Sequence, residues 1–94
     1  AIGAEEAFRI GLVSRVVEAA ELLPAARDLA TKILGKAPLA VKYAIDAVHH
    51  GSELPFGEAE AYEATLFGLC ASTEDMKEGI QSFVERRSAV FRGR

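Results

Sequence analysis

Residues 21–51, ELLPAARDLATKILGKAPLAVKYAIDAVHHG, contain the two helices that decide the fold class of this chain. Apolar residues recur there every three or four positions, which is the spacing of one helix face. Pro24 falls in a first turn, where a missing backbone N–H costs nothing, and Gly35 is suited to end the helix. Pro38 restarts the pattern, because the residue before a proline is disfavoured in the helical conformation. The stretch therefore predicts two consecutive amphipathic helices.

The sequence on the amino-terminal side predicts a short helix followed by a brief extended segment. Residues 4–9 have helical spacing of their apolar side chains, and Gly11 is a natural left-handed stop. Residues 12–17, LVSRVV, are β-branched and alternating, but the segment is too short to indicate a strand with neighbours in a sheet.

Two more helices are predicted on the carboxyl-terminal side. The first follows a linker at residues 52–58 and carries Leu66 and Cys70 on its apolar face. The second begins near Ser72, which we interpret as its N-cap, with Asp75 three residues on as in a capping box. The pattern predicts an all-α fold of four main helices plus a short N-terminal helix.

Composition limits what such a chain can be. Its 94 residues allow one domain, so we expect residues 1–94 to form a single helical domain. Hydrophobic residues make up 50% of the sequence, which should leave apolar surface for a partner. A net charge of -3 with few clustered bases argues against nucleic acid as a partner. The first residue is Ala1 rather than methionine, so we expect a processed product, an expression fragment or a piece of a longer protein.

The same totals bear on location. No apolar run approaches the roughly 18 residues of a membrane span, so we expect no membrane partner. No basic-then-apolar signal segment is present at the start of the sequence. The single cysteine, Cys70, excludes an internal disulfide framework and fits a reducing compartment, from which we expect a cytoplasmic protein.

Three features attract attention as possible sites. His49 and His50 are adjacent, so on a helix they point about 100° apart and do not chelate one metal together. Glu60 and Glu63 share a helix face, but neighbouring glutamates favour a solvated acidic surface over an acid–base pair. Gly79 inside a helix costs about 1 kcal/mol relative to alanine, so we expect close packing there. We predict no metal site and no catalytic residue.

The arginine-rich end of the chain is the most informative part. Phe83 and Arg86 are three positions apart and rise from one side of the last helix, which Arg87 partly shares. An arginine fork matches phosphate oxygens, and an aromatic ring packs on the apolar or heterocyclic part of a ligand. A solvated basic end that complements the helix dipole explains the same residues without a function. The residues alone therefore leave two interpretations open, a helical interaction module with an anion site and a basic tail.

The order of the segments adds a resemblance. Residues 4–17, 21–48 and 72–94 closely resemble the carboxyl-terminal portion of the crotonase superfamily, the enoyl-CoA hydratase/isomerase proteins. The matching residues are Ala4, Glu6, Ala7, Gly11, Leu12, Val13, Ala37, Pro38, Ala40, Ser72, Asp75, Glu78, Gly79, Phe83, Arg86, Arg87 and Phe91. Two departures are Ser88 and Ala89, where the family usually has Lys-Pro.

The resemblance implies the C-terminal trimerisation and lid domain of an enoyl-CoA hydratase, whose N-terminal α/β spiral core lies upstream. The parent reaction is the reversible addition of water to a 2-enoyl-CoA thioester in fatty-acid metabolism. The coenzyme A thioester is then a substrate, and no cofactor is expected. The family's two catalytic glutamates lie upstream, so we carry over no catalytic residue and expect the 94 residues alone to be inactive. The expected partner is another copy of the chain, in a trimer or a dimer of trimers.

The resemblance also implies four ligand-binding residues. Phe67 matches a family aromatic near the bound ligand, and Phe83 matches the phenylalanine that packs by coenzyme A. Arg86 takes a position that is commonly lysine, whose cation meets a coenzyme A phosphate, and Arg87 lies beside it. Other crotonase chemistries (isomerase, dihydroxynaphthoyl-CoA synthase, dehalogenase, hydrolase) stay open, as does a non-catalytic helical assembly module.

Overall fold

The computed structural model describes all 94 residues and contains helices but no strand. The elements are α1 (Ala4–Arg9), a short 3-10 helix (Ala19–Glu21), α2 (Leu22–Leu34), α3 (Pro38–Gly51), α4 (Phe56–Ala71) and α5 (Glu74–Glu85). The predicted all-α class, with four main helices and a short N-terminal one, is confirmed. The chain divides into two compact units, Ala1–Lys32 and Ile33–Arg94, and the expectation of a single domain stays a prediction.

The first unit is organised around α1 and the turn that follows it. Gly11 adopts φ +77°, the left-handed conformation that the predicted stop requires. The backbone N–H groups of Leu12 and Val13 both donate to the carbonyl of Ala7, at 2.8 and 3.3 Å. These bonds fold the chain back over Ala7, which is buried. The LVSRVV segment forms no strand, as its length indicates.

Helix α2 has the bounds that its sequence predicts but buries none of its residues. Its N-terminal Pro24 lies in the first turn, as expected. The apolar side chains Leu22, Leu29 and Leu34 are 60%, 57% and 82% exposed. The apolar face that the amphipathic pattern of α2 describes is therefore largely exposed in this chain.

The second unit is built on the packing of α3 against α4, to which α5 is added. Leu66 of α4 is its buried hydrophobic residue, and Tyr62 and Cys70 on the same face are half-buried. The His50 ring at the end of α3 meets Tyr62 edge-on, with ring centroids 5.8 Å apart. These contacts lie on the α4 face that the sequence predicts to be apolar.

Helix α5 buries polar residues rather than its apolar stripe. Asp75 and Ser82 are 3% and 5% exposed, whereas Phe83 and Val84 are 85% and 74% exposed. The predicted apolar face exists, but most of it is exposed, and Met76 is its half-buried member. No helix of the chain combines the length and apolarity needed to cross a bilayer.

The start of α5 corrects the sequence prediction by one residue. Ser72 is helical, with φ -82° and ψ -8°, and completes α4. Thr73 has the extended conformation of an N-cap, and its hydroxyl oxygen accepts the backbone N–H of Met76 at 3.1 Å. Asp75 makes no capping box, because its carboxylate accepts hydrogen bonds from residues near the end of the chain.

Replacing the true cap should cost more than replacing its neighbour. We expect Thr73→Ala to lower the free energy of unfolding by about 1 kcal/mol, the usual cost of losing an N-cap hydroxyl. Ser72→Ala is the matched control and should cost less than about 0.5 kcal/mol. Urea denaturation measures both, and equal losses would contradict the assignment of the cap.

Candidate functional site

The end of α5 turns the chain sharply backwards. Arg86 has φ 53° and ψ 40°, and it is the one non-glycine residue of the chain with positive φ. The N–H of Arg87 donates to the carbonyl of Ser82 at 3.0 Å, and that of Arg86 to Phe83 at 3.3 Å. This is the hydrogen-bond pattern of a Schellman cap, in which glycine usually holds the left-handed position. An arginine in this position pays the steric cost of the left-handed conformation, because it has a Cβ. Its side chain makes no hydrogen bond or ion pair within the chain that would offset that cost.

The turn sends residues 88–94 back along α5, where two carboxylates hold their backbone. This return segment is in neither a helix nor a strand. Glu78 accepts the N–H of Val90 at 2.8 Å. Asp75 accepts the N–H groups of Arg92 and Gly93, one on each oxygen, both at 2.7 Å. Side chains of α5 therefore replace the backbone partners that the segment lacks.

The Arg87 guanidinium is bound within the chain. It donates to both oxygens of Glu78, at 2.6 and 2.9 Å, and also to Glu85. Arg87 and the N–H of Val90 lower the pKa of Glu78 to about 2, and the same ion pairs raise the pKa of Arg87. Arg87 thus fixes the start of the return segment, and its donors are directed at carboxylates rather than at solvent.

Phe83 and Arg86 are arranged differently. Phe83 is 85% exposed, and the exposed Arg86 side chain takes part in no hydrogen bond or ion pair of the structure. An exposed aromatic ring near the end of α5 is thus followed, three residues later, by an unpaired guanidinium. An unpaired fork of this kind is free to bind an anion from outside.

Phe83 also borders an apolar cavity of about 450 Å³ between α3, the start of α5 and the return segment. Met76, Ile80 and Phe91 contribute its other large apolar side chains. The Phe91 ring lies over Gly79, with its Cε1 atom 3.6 Å from where a Cβ would stand. The close packing that the sequence predicts at Gly79 is therefore a contact with the Phe91 ring, at an ordinary van der Waals distance.

Phe67 lies at a second cavity, of about 250 Å³, between α3 and α4. Its ring is 69% exposed, and Glu63 is the charged residue in the lining. The two cavities share Ala40 and Cys70 in their walls, so they adjoin. The structure thus distributes the two predicted aromatics over neighbouring cavities and leaves Arg86 outside both linings.

The remaining candidates are plain surface residues. His50 is exposed, with Nδ1 3.2 Å from the carbonyl oxygen of Asp46. No group of three or more His, Cys, Asp or Glu side chains is placed to hold a metal ion. Sequence reasoning missed the roles of Asp75 and Glu78. No local signal marks those roles, because the backbone groups that the two carboxylates bind lie 12 to 18 positions away.

A family model and the sequences of known proteins match this chain to the same family. The family model for enoyl-CoA hydratase/isomerase matches residues 1–94. The chain is 47% identical over 90 residues to a crotonyl-CoA hydratase of Syntrophomonas wolfei, covering 96% of this chain and 35% of that protein. It is 46% identical over 92 residues to an (E)-benzylidenesuccinyl-CoA hydratase of Thauera aromatica, covering 98% of this chain and 36% of that protein.

Solved structures agree in fold. An enoyl-CoA hydratase/isomerase from Mycobacterium paratuberculosis superposes with a TM-score of 0.95 at 35% identity, covering 99% of this chain and 37% of that chain. An enoyl-CoA hydratase from Geobacillus kaustophilus superposes with a TM-score of 0.93 at 38% identity. The chain spans about a third of the length of the proteins it matches.

Acid should loosen the contacts of Glu78 in a defined range. The folded-state pKa of about 2 lies below the ordinary 4.5, so this stabilisation is complete above pH 4.5 and is lost as the pH falls through 2. We expect the urea midpoint of the wild type to fall across that window and that of Glu78→Gln to fall less. Glu63→Gln, which breaks no ion pair, should follow the wild type. Parallel curves for Glu78→Gln and wild type would contradict the assignment.

The left-handed cap gives a second test. Arg86→Gly should raise the free energy of unfolding by about 1 kcal/mol, because glycine adopts positive φ without strain. Arg86→Ala removes the same side chain but keeps the Cβ, so it should bring no gain. Urea denaturation compares the two variants, and equal stabilities would show that the cap is unstrained.

Proposed function

Because this chain belongs to the enoyl-CoA hydratase/isomerase family, we propose that it forms the part of an enoyl-CoA hydratase that covers a bound acyl-CoA. The parent reaction is the reversible addition of water across the double bond of a 2-enoyl-CoA thioester, in fatty-acid metabolism. The thioester is the substrate and no cofactor takes part. We also propose a cytoplasmic location.

The observation that carries this proposal is the exposed Phe83 in the wall of the apolar cavity, with the unpaired Arg86 three residues further along the chain. A coenzyme A thioester joins phosphate groups, a heterocycle and a long neutral arm. An unpaired guanidinium suits the phosphates, and an exposed aromatic ring suits the heterocycle or the arm. The strained backbone of Arg86 supports the same proposal, because strain retained at a position indicates a use for its side chain.

Arg87 takes a different part from the one that its position in the family motif implies. Its two bonds to Glu78 and its contact with Glu85 occupy the guanidinium fork. We propose that Arg87 contributes to the site by ordering the return segment, and that Arg86 supplies the cation that the ligand meets. Phe67, at the adjoining cavity, covers a more distant part of the same ligand.

We propose further that the chain contacts other subunits, and its exposed apolar faces support this. Leu22 and Leu29 of α2 are more than half exposed, as are Ile45 and Val48 of α3. Exposed apolar surface of this extent is typical of an interface. We propose a homo-oligomer, either a trimer or a dimer of trimers, with neither nucleic acid nor membrane as a partner.

The chemistry itself is proposed to lie outside these residues. The polar residues buried in this chain, Asp75 and Ser82, have hydrogen-bond partners within it, so Asp75 is not a free acid or base although it lines the larger cavity. Hydration of an enoyl thioester needs preorganised donors for the carbonyl oxygen and a carboxylate for water. We therefore propose that the 94 residues alone catalyse nothing.

Calorimetric titration with coenzyme A tests the proposal. We expect Arg86→Ala to weaken coenzyme A binding by about tenfold, the loss of one charge-assisted hydrogen bond. Lys77→Ala is the matched control, because it removes the same charge from an exposed position of α5 and should leave the affinity unchanged. Pantetheine, which lacks the phosphates, should bind wild type and Arg86→Ala alike.

Two outcomes would contradict the proposal. Equal coenzyme A affinity of wild type and Arg86→Ala would remove the role of that arginine. An absence of coenzyme A binding in wild type, with oligomers intact, would favour a non-catalytic assembly module.

A further inference from the structure

Asp75 is the least exposed residue of the chain, at 3%, although it carries a charge. All the bonds of its carboxylate are to backbone, with one oxygen on the N–H of Arg92 and the other on the N–H of Gly93. Its own N–H donates to the carbonyl of Arg94 at 2.9 Å. Burying a carboxylate is costly unless its oxygens are hydrogen-bonded, so the return segment is what makes this burial possible.

Two consecutive backbone N–H groups converge on the Asp75 carboxylate. Consecutive N–H groups converge on an anion when one residue takes a left-handed conformation, and Gly93 has φ +73°. The anion here is part of the chain itself. Glu78, one turn further along α5, binds the N–H of Val90 in the same way at 2.8 Å. Two carboxylates thus hold the backbone on either side of Phe91.

This attachment determines where the Phe91 ring lies. Val90 and Arg92, its two neighbours, are each bound to α5, so the ring is directed onto Gly79. Gly93 also packs on Pro38, with 3.6 Å between the position of a Cβ and the proline Cγ. The return segment therefore closes one side of the 450 Å³ cavity that Phe83 borders.

We propose that Asp75 is a positioning residue of the ligand site. Together with Glu78 it fastens the return segment to α5, and so holds Phe91 as a fixed wall of the cavity. The inference rests on the proposed function, because the cavity is assigned to the acyl-CoA substrate there. Asp75 lines the same cavity, but backbone N–H groups occupy both of its carboxylate oxygens, so it acts through Phe91 and not through a bond to the ligand.

The test uses the full-length protein that carries this chain. Asp75→Asn keeps the shape of the side chain but turns one acceptor into an NH₂ group that faces a backbone N–H. Glu74→Gln is the matched control, since Glu74 is the adjacent carboxylate, pairs only with the Arg94 side chain and is 68% exposed. Two readouts are taken, amide hydrogen exchange at residues 90–93 and steady-state kinetics with crotonyl-CoA.

We expect Asp75→Asn to accelerate exchange by about tenfold or more at whichever of Arg92 and Gly93 then faces the NH₂ group, because that N–H loses its acceptor. KM should rise by about three- to tenfold while kcat stays within about twofold, the pattern of lost binding rather than lost chemistry. A merely structural role would instead lower kcat with the folded fraction and leave KM unchanged. Glu74→Gln should match the wild type in both readouts.

Phe91→Ala supplies an independent arm that does not disturb the carboxylates. It should raise KM as Asp75→Asn does but keep the slow exchange of Arg92 and Gly93. The double variant should raise KM no further than either single change, because both act through one ring. If Asp75→Asn does not fold, the Phe91→Ala result decides the proposal.

Each adverse result has its own meaning. Unchanged exchange in Asp75→Asn would overturn the fastening of the segment. Faster exchange with an unchanged KM, or an unchanged KM in Phe91→Ala, would overturn the positioning role. A wild-type protein that neither turns over crotonyl-CoA nor binds coenzyme A would instead overturn the proposed function. The wild type is measured before any variant, so the two failures are distinguishable.

Discussion

The buried carboxylate of Asp75 is the constraint on which the carboxyl-terminal half of this chain depends. Its two oxygens must find donors, since a buried anion without hydrogen bonds costs several kcal/mol, of the order of a small domain's whole stability. The donors come from Arg92 and Gly93, in a segment with no regular structure to satisfy its own N–H groups. Each partner needs the other, so helix α5 and the last residues are one structural element.

That mutual requirement orients α5. Its polar residues Asp75 and Ser82 are buried, whereas Phe83 and Val84 are left exposed. The left-handed turn at Arg86 is the connection that lets the chain reverse within two residues. The exposed aromatic and the unpaired arginine at that end follow from this orientation. Phe83 borders an apolar cavity, and this position, rather than its residue type alone, indicates a function for that end of α5.

The chain buries few apolar side chains, Ala7 and Leu66 being its buried hydrophobic residues. A chain of this size would ordinarily bury about 60% of its unfolded surface around a core. Here the amphipathic helices leave much of their apolar surface exposed, and α2, which buries none of its residues, is the clearest case. Such helices gain most of their stability from surfaces that cover their apolar faces. The chain matches only about a third of the length of the related hydratases.

The sequence by itself determined the helices and the family. Apolar spacing, with Gly11, Pro24 and Pro38 at the boundaries, reproduced the elements because these are local effects of backbone sterics and side-chain periodicity. Local rules were insufficient at α5, where Ser72 and Thr73 are adjacent hydroxyl residues and only the backbone angles distinguish the cap.

The tertiary structure alone decided that Arg87 pairs with Glu78, nine positions away, and that Asp75 binds N–H groups 17 and 18 positions away. Those pairings arise because the chain reverses at Arg86. Once it reverses, buried charges and free backbone donors have to satisfy each other across the turn, and no helical period encodes that.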